Sequence, residues 1–195
     1  MARLEIRWHG RGGMGAKTAA LLLGEALIAH HKYAQAFPEY GPERRGAPVK
    51  AYTRLDDEPI YIHSGITQPD IVVVLDPRLI KEKETLEGLK ENGKLLVNTT
   101  LEPGELRKKL ESENLVLPQG VKIYTVDASG IAKSILGVNI PNTPMLGALI
   151  KISNVMELDE FIEAVEKRLS VKFKDEIVKK NIEAIRKAYE EVKGE

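Results

Sequence analysis

A short alternating segment, Leu4-Glu5-Ile6-Arg7-Trp8, runs straight into His9-Gly10-Arg11-Gly12-Gly13-Met14-Gly15-Ala16-Lys17-Thr18, and an Ala- and Leu-rich stretch follows to His30. Four glycines between positions 10 and 15 leave an almost bare backbone between a strand and a helix. Glycine weakens regular elements and suits a loop that needs positive φ or the close approach of another group. A helix starting there turns its unpaired N–H groups and the positive end of its dipole towards whatever lies against the loop. Phosphate is a common guest at such a terminus. The segment therefore predicts a strand–loop–helix unit with a phosphate-bearing ligand beside it.

Further along, Tyr33–Phe37 reads as a short strand and Pro38–Pro48 as an ordered loop. Val49–Arg54 and Pro59–His63, separated by Asp56-Asp57-Glu58, read as a hairpin at an antiparallel edge. Ile71–Leu75 is a continuous apolar run, the mark of a strand covered on both faces. Leu95–Val97 and Val121–Val126 are further strands, with helical segments over Arg78–Glu91 and Pro103–Leu110. After Asp127 the pattern turns helical. Asn142 reads as a cap ahead of Pro144, and Leu158, Phe161, Ile162, Val165 and Leu169 share one helix face. Val178, Ile182, Ile185, Tyr189 and Val192 share another. Alternating strands and helices predict one domain over 1–195, a three-layer α/β/α Rossmann-like fold. Its sheet is mostly parallel, with an antiparallel hairpin edge and C-terminal helices.

Composition narrows the function. Lys and Arg total 29, as do Asp and Glu, so no net field draws the chain to nucleic acid or an anionic membrane. The sequence has no apolar run of membrane-spanning length and no signal-peptide layout, which predicts a cytoplasmic protein. It has no cysteine, which excludes disulfides and thiolate-ligated zinc or iron–sulfur centres within these residues. The four histidines lack metal-ligand spacing. Excess Lys over Arg and Glu over Asp resembles a thermophile's surface. No Ser/His/Asp or Cys/His nucleophile set stands out. His9, His63, Asp76 and Asp127 lie at or near strand ends, where ligands gather in open α/β sheets, but each could equally cap a turn. A ligand crevice without catalytic machinery of its own points to a subunit of something larger.

The loop itself admits three readings. Gly10-x-Gly12-x-x-Gly15 satisfies the dinucleotide fingerprint in its strand–loop–helix context. The ribose-binding acid expected roughly 20 residues on is missing, because His30-His31-Lys32-Tyr33-Ala34 occupies that zone. Gly10-x4-Gly15 also resembles a P-loop, but Ala16 intervenes before Lys17-Thr18. One extra residue turns the lysine by about 100° on a helix, away from the phosphates it should grip. The third reading is that the glycines only permit close helix–strand packing.

A second block narrows these alternatives. Tyr33-Ala34-Gln35-Ala36-Phe37-Pro38-Glu39-Tyr40-Gly41-Pro42-Glu43-Arg44-Arg45-Gly46-Ala47-Pro48-Val49, soon after the glycine loop, closely resembles the gamma subunit of pyruvate:ferredoxin oxidoreductase and its 2-oxoacid relatives. Asp70–Pro77 and Ile140-Pro141-Asn142-Thr143-Pro144-Met145-Leu146-Gly147-Ala148 resemble the same family, so the likeness runs from about Arg3 to Ala148. One departure is Met14, where the family usually carries glutamine. If that side chain holds a ligand or neighbour, its polar contact is lost here.

The resemblance implies a multi-subunit enzyme that decarboxylates a 2-oxoacid on thiamine diphosphate, passes electrons through [4Fe-4S] clusters to ferredoxin and releases acyl-coenzyme A. Pyruvate is the first expectation for the acid and 2-oxoisovalerate the second. Thiamine diphosphate, Mg2+ and the clusters are expected in partner alpha, beta and delta subunits. This chain, inactive alone and able to pair with itself when isolated, is left with coenzyme A and assembly. The residues expected at the coenzyme A site are Gly10, Arg11, Gly12, Gly13, Met14, Gly15, Lys17, Thr18, Arg44, Arg45, Asn98 and Asn142. Arg44 and Arg45 could clamp a phosphate through planar contacts or pair with Glu39 and Glu43 to organise the loop. An independent nucleotide-binding protein and a purely structural subunit are the competing readings.

Overall fold

The computed structural model describes residues 3–39 and 45–195. Seven strands form one sheet in the order β2-β3-β1-β4-β5-β6-β7. They are β1 (Leu4–Arg11), β2 (Tyr33–Pro38), β3 (Pro48–Asp56), β4 (Ile71–Val74), β5 (Lys94–Asn98), β6 (Lys122–Val126) and β7 (Lys193–Gly194). The pairings β1–β4, β4–β5 and β5–β6 are parallel. β3 lies antiparallel between β1 and β2, and β7 is antiparallel to β6. Five of the seven strands thus point the same way, and the antiparallel members sit towards the edges.

The apolar runs determine where the layers go. In β4, Ile71 and Val73 project into one hydrophobic cluster while Val72 and Val74 project into the other. A run of four β-branched residues is what a strand sandwiched on both faces requires. The larger cluster joins the sheet to α1 (Ala16–Ala29), α5 (Asn142–Ser153), α6 (Leu158–Ser170) and α7 (Asp175–Glu191). The smaller one joins β4, β5 and β6 to α3 (Pro103–Ser112) and a 3-10 turn at Pro77–Lys81. Two short helices, α2 (Lys83–Leu86) and α4 (Ala128–Ile131), follow β4 and β6.

Three expectations need correction. The hairpin is formed by β2 with β3, in register from Tyr33↔Asp56 to Pro38↔Ala51, and Pro59–His63 is not a strand. Its alternating isoleucines suggest a ladder, but its carbonyls find side-chain donors instead. The buried Arg54 donates from Nη1 to the Ile62 carbonyl (3.2 Å) and from Nη2 to the Ser64 carbonyl (3.1 Å). Gln35 Nε2 donates to the Ile60 carbonyl at 3.1 Å. This strap lies over β1 and β3 on the sheet face opposite α1. Secondly, Arg78–Glu91 is not one helix. Asp76 caps Arg78 N–H, Pro77 opens a tight turn, and the extended backbone of Glu82 separates it from α2. Thirdly, Asn142 is the first residue of α5 and not its cap.

The far edge of the sheet is closed by the tail. β7 pairs Gly194 with Tyr124 and Lys193 with Thr125. Glu195 then accepts from Arg107 Nε at 2.6 Å and from the Ile123 amide at 3.1 Å.

Helix α5 is buried almost all round, and Gly147 is why it can approach α7 so closely. A Cβ at that position would lie 2.1 Å from the Ile185 carbonyl oxygen, a backbone atom with little freedom to move. Gly147→Ala should therefore cost at least about 1–3 kcal/mol through overpacking, read as a lower urea midpoint or a Tm drop of about 2–4 °C per kcal/mol.

Candidate functional site

β1 extends further than the sequence suggests. Gly10 and Arg11 still pair with Val49 and Pro48, so the loop proper is only Gly12–Gly15. Gly13 and Gly15 adopt positive φ (95° and 80°), and Gly15 caps α1 in the left-handed region with no side-chain acceptor for the first amides. No acid stands in the first turn of that helix. Gly15 is also packed on Asn142, whose side-chain atoms would lie 2.6–2.9 Å from an added Cβ. Only glycine satisfies both demands. The loop is tied to its neighbour by backbone bonds from Gly12 N to Ala47 O (2.9 Å) and from Gly46 N to Gly12 O (3.1 Å).

These segments enclose a crevice of about 670 Å3. It brings together eight of the expected residues: Arg11, Gly12, Gly13, Gly15, Lys17, Thr18, Arg45 and Asn142. Among the described residues, three of its lining side chains are cations and none is a carboxylate. An uncapped helix N-terminus with basic walls attracts anions and offers them N–H donors. Val49 and Ile140 add apolar wall that the sequence reading missed. Aliphatic side chains carry no chemical signal, and only their places beside Pro48 and Pro141 pointed to them.

Three of the described expected residues are not brought into it. Gly10 lies within β1, packed against Ala16 and Leu75 behind the loop. The Met14 side chain packs on the apolar core and does not line the crevice. Asn98 is committed elsewhere. It donates to Leu75 O and Ser129 Oγ, both at 2.8 Å, and accepts from the Ser129 amide, which pins the ends of β4 and β5 to α4. Arg44 lies outside the described residues, as does Glu43, while Glu39 pairs with Lys50 at 3.4 Å.

Of the strand-end candidates, Asp76 and Asp127 act as caps, accepting from the amides of Arg78 and Gly130. His63 is exposed on the strap. His9 is buried, and its Nε2 accepts from Arg7 Nε at 2.9 Å. Burial, then the nearby charges of Arg7 and Lys50, lower its pKa to about 3. It is neutral at physiological pH and serves as an acceptor for a buried arginine.

The profile of the pyruvate ferredoxin/flavodoxin oxidoreductase family matches residues 5–191. The chain belongs to this family. Among its relatives is the pyruvate synthase subunit PorC of Thermotoga maritima, 46% identical over 97% of this chain and 94% of that protein. Another is the pyruvate/ketoisovalerate oxidoreductases common subunit gamma of Thermococcus litoralis, 47% identical over 96% of each chain. The crystal structure of the Thermotoga maritima pyruvate oxidoreductase subunit PORC superposes with a TM-score of 0.84, at 42% identity over 100% of this chain and 99% of its own. The mixed α/β sheet described above is therefore the fold of this oxidoreductase family.

The buried histidine generates a test. Between pH 6.5 and about 3 the unfolded chain holds a proton on His9 that the folded chain does not. Its contribution to stability is complete above pH 6.5 and is lost on acidification towards pH 3. The slope reaches up to about 1.4 kcal/mol per pH unit. His9→Gln, which keeps an acceptor for Arg7, should flatten the dependence of the urea midpoint on pH between 6.5 and about 4.5.

Proposed function

We propose that this chain is the gamma subunit of a multi-subunit pyruvate (2-oxoacid):ferredoxin oxidoreductase, and that its glycine-loop crevice receives the phosphates of coenzyme A. The overall reaction converts a 2-oxoacid and coenzyme A to acyl-coenzyme A and CO2, with two electrons passing to ferredoxin and the thiol proton released to solvent. The observation that carries the reading is the crevice itself, where first-turn amides of α1 meet Arg11, Lys17 and Arg45 with no acid among the described lining residues. Backbone donors and planar guanidinium groups are matched to phosphate oxygens. Val49 and Ile140 offer apolar surface for the uncharged parts of the carrier.

The redox groups do not fit this chain. No cysteine is available to ligate an iron–sulfur cluster, and among the described residues no three His, Asp or Glu side chains converge as metal ligands. Thiamine diphosphate with its Mg2+ and the clusters accordingly belong to the alpha, beta and delta partners in this reading, and ferredoxin meets the complex there. Pyruvate is the preferred acid, with 2-oxoisovalerate next. The Thermococcus litoralis relative is named as common to pyruvate and ketoisovalerate enzymes, as expected of a subunit that does not itself build the acid pocket. The cytoplasm is the proposed location.

A purely structural role has one observation in its favour: Arg11 is bonded within the chain to Asp76 and Gly46. The two readings separate in the reconstituted complex. Arg45→Ala and Gly13→Val should each raise the KM for coenzyme A about tenfold, a loss the size of one charge-assisted hydrogen bond. The KM for the 2-oxoacid should stay unchanged. Failed assembly, with normal coenzyme A kinetics in whatever complex forms, would favour the structural role.

A further inference from the structure

Asp76 follows β4 at the point where the sheet's chain order reverses between β1 and β4, and only 3% of it is exposed. Its Oδ2 accepts from Arg11 Nε and from Arg78 Nη2, both at 2.7 Å. Its Oδ1 accepts from the Arg78 amide at 3.1 Å and from Arg78 Nε at 2.9 Å. Burial alone would raise this carboxyl, but the bonds from Arg78 and then Arg11 outweigh it and hold the carboxyl below its usual range, so it is ionised. Arg78 is largely exposed, whereas Arg11 reaches into the crevice and also donates from Nη1 to Gly46 O at 3.2 Å. Of the five N–H donors of Arg11, two are thus committed to the carboxylate and to the neighbouring loop.

We propose that Asp76 is a positioning residue for the anion crevice, acting through Arg11 by fixing that guanidinium against the glycine loop while touching no ligand itself. The inference rests on the crevice being the coenzyme A phosphate site. A free arginine loses about 2 kcal/mol of rotamer entropy when a ligand immobilises it. A side chain already anchored by a buried carboxylate has met that cost before binding. Because Arg78 shares the carboxylate, the three side chains together keep a charge of +1, so anchoring does not cancel the attraction for an anion.

Orientation and charge predict opposite signs. Removing the carboxylate raises the local charge from +1 to +2, which would tighten anion binding if the field alone mattered. In the reconstituted complex, Asp76→Asn keeps an acceptor for the Arg78 amide but releases Arg11. It should raise the KM for coenzyme A about fivefold to tenfold, with kcat within about twofold. Arg11→Ala should do the same, and Asp76→Asn in that background should add nothing. Arg78→Lys, which keeps the net charge of +1 and leaves the Arg11–Asp76 pair in place, should stay within about twofold of the parent. Where asparagine disturbs assembly, Asp76→Ser keeps a smaller acceptor and carries the same expectations.

A lowered or unchanged KM in Asp76→Asn, while Arg45→Ala raises it, would overturn the positioning role and leave the coenzyme A reading intact. Losses that multiply between Asp76→Asn and Arg11→Ala would also overturn it. If the Arg45, Arg11 and Asp76 variants all leave the KM for coenzyme A unchanged, both readings fall.

Discussion

The approach of three chain segments at the carboxyl end of β1 is the constraint on which the rest of this molecule depends. The loop between β1 and α1, the segment at Gly46-Ala47 and the first residue of α5 meet within hydrogen-bonding or van der Waals distance. A side chain at residue 15 would drive α5 away from α1, and those two helices share the larger apolar cluster with Met145, Leu146 and Leu149. The same bare backbone gives α1 no capping side chain at Gly15. Close helix packing and a helix start with no capping side chain of its own are thus two results of one choice of residues.

On the other face the sheet meets a different difficulty. No long helix covers the strap side of β1 and β3, so polar side chains do the work of a layer. Arg54 joins Glu5, Gln35 and two strap carbonyls. Arg7 reaches His9 and the carbonyls of Ile66, Thr85 and Glu87. Each buried guanidinium is surrounded by acceptors, which is the condition for burying one without a large penalty. The neutral state of His9 belongs to this arrangement, since a second buried cation would be repelled by Arg7 and Lys50.

The parts of the fold legible in the sequence are those governed by side-chain period. The apolar run at 71–75 and the Ala/Leu stretch after residue 16 read directly as sheet and helix because both are buried on nearly every side. Pro59–His63 misled because alternation shows only which side chains could share a face. It is silent on Arg54 competing for the carbonyls. Asn98 misled for a similar reason: a polar residue ending a central strand marks either a ligand or a strut, and only its bonds to Leu75 and Ser129 distinguish them. At the crevice the charged and glycine residues were legible, whereas Val49 and Ile140 depend on tertiary placement.

The short C-terminal strand has a bearing on assembly. By pairing with Tyr124 and Thr125, and by anchoring Glu195 on Arg107, the tail occupies the row of amides and carbonyls that β6 would otherwise show to other proteins. β7 itself is two residues long, too brief a template for a foreign strand. Along Tyr124 and Thr125, β6 therefore offers no open row of backbone amides and carbonyls for another polypeptide to extend.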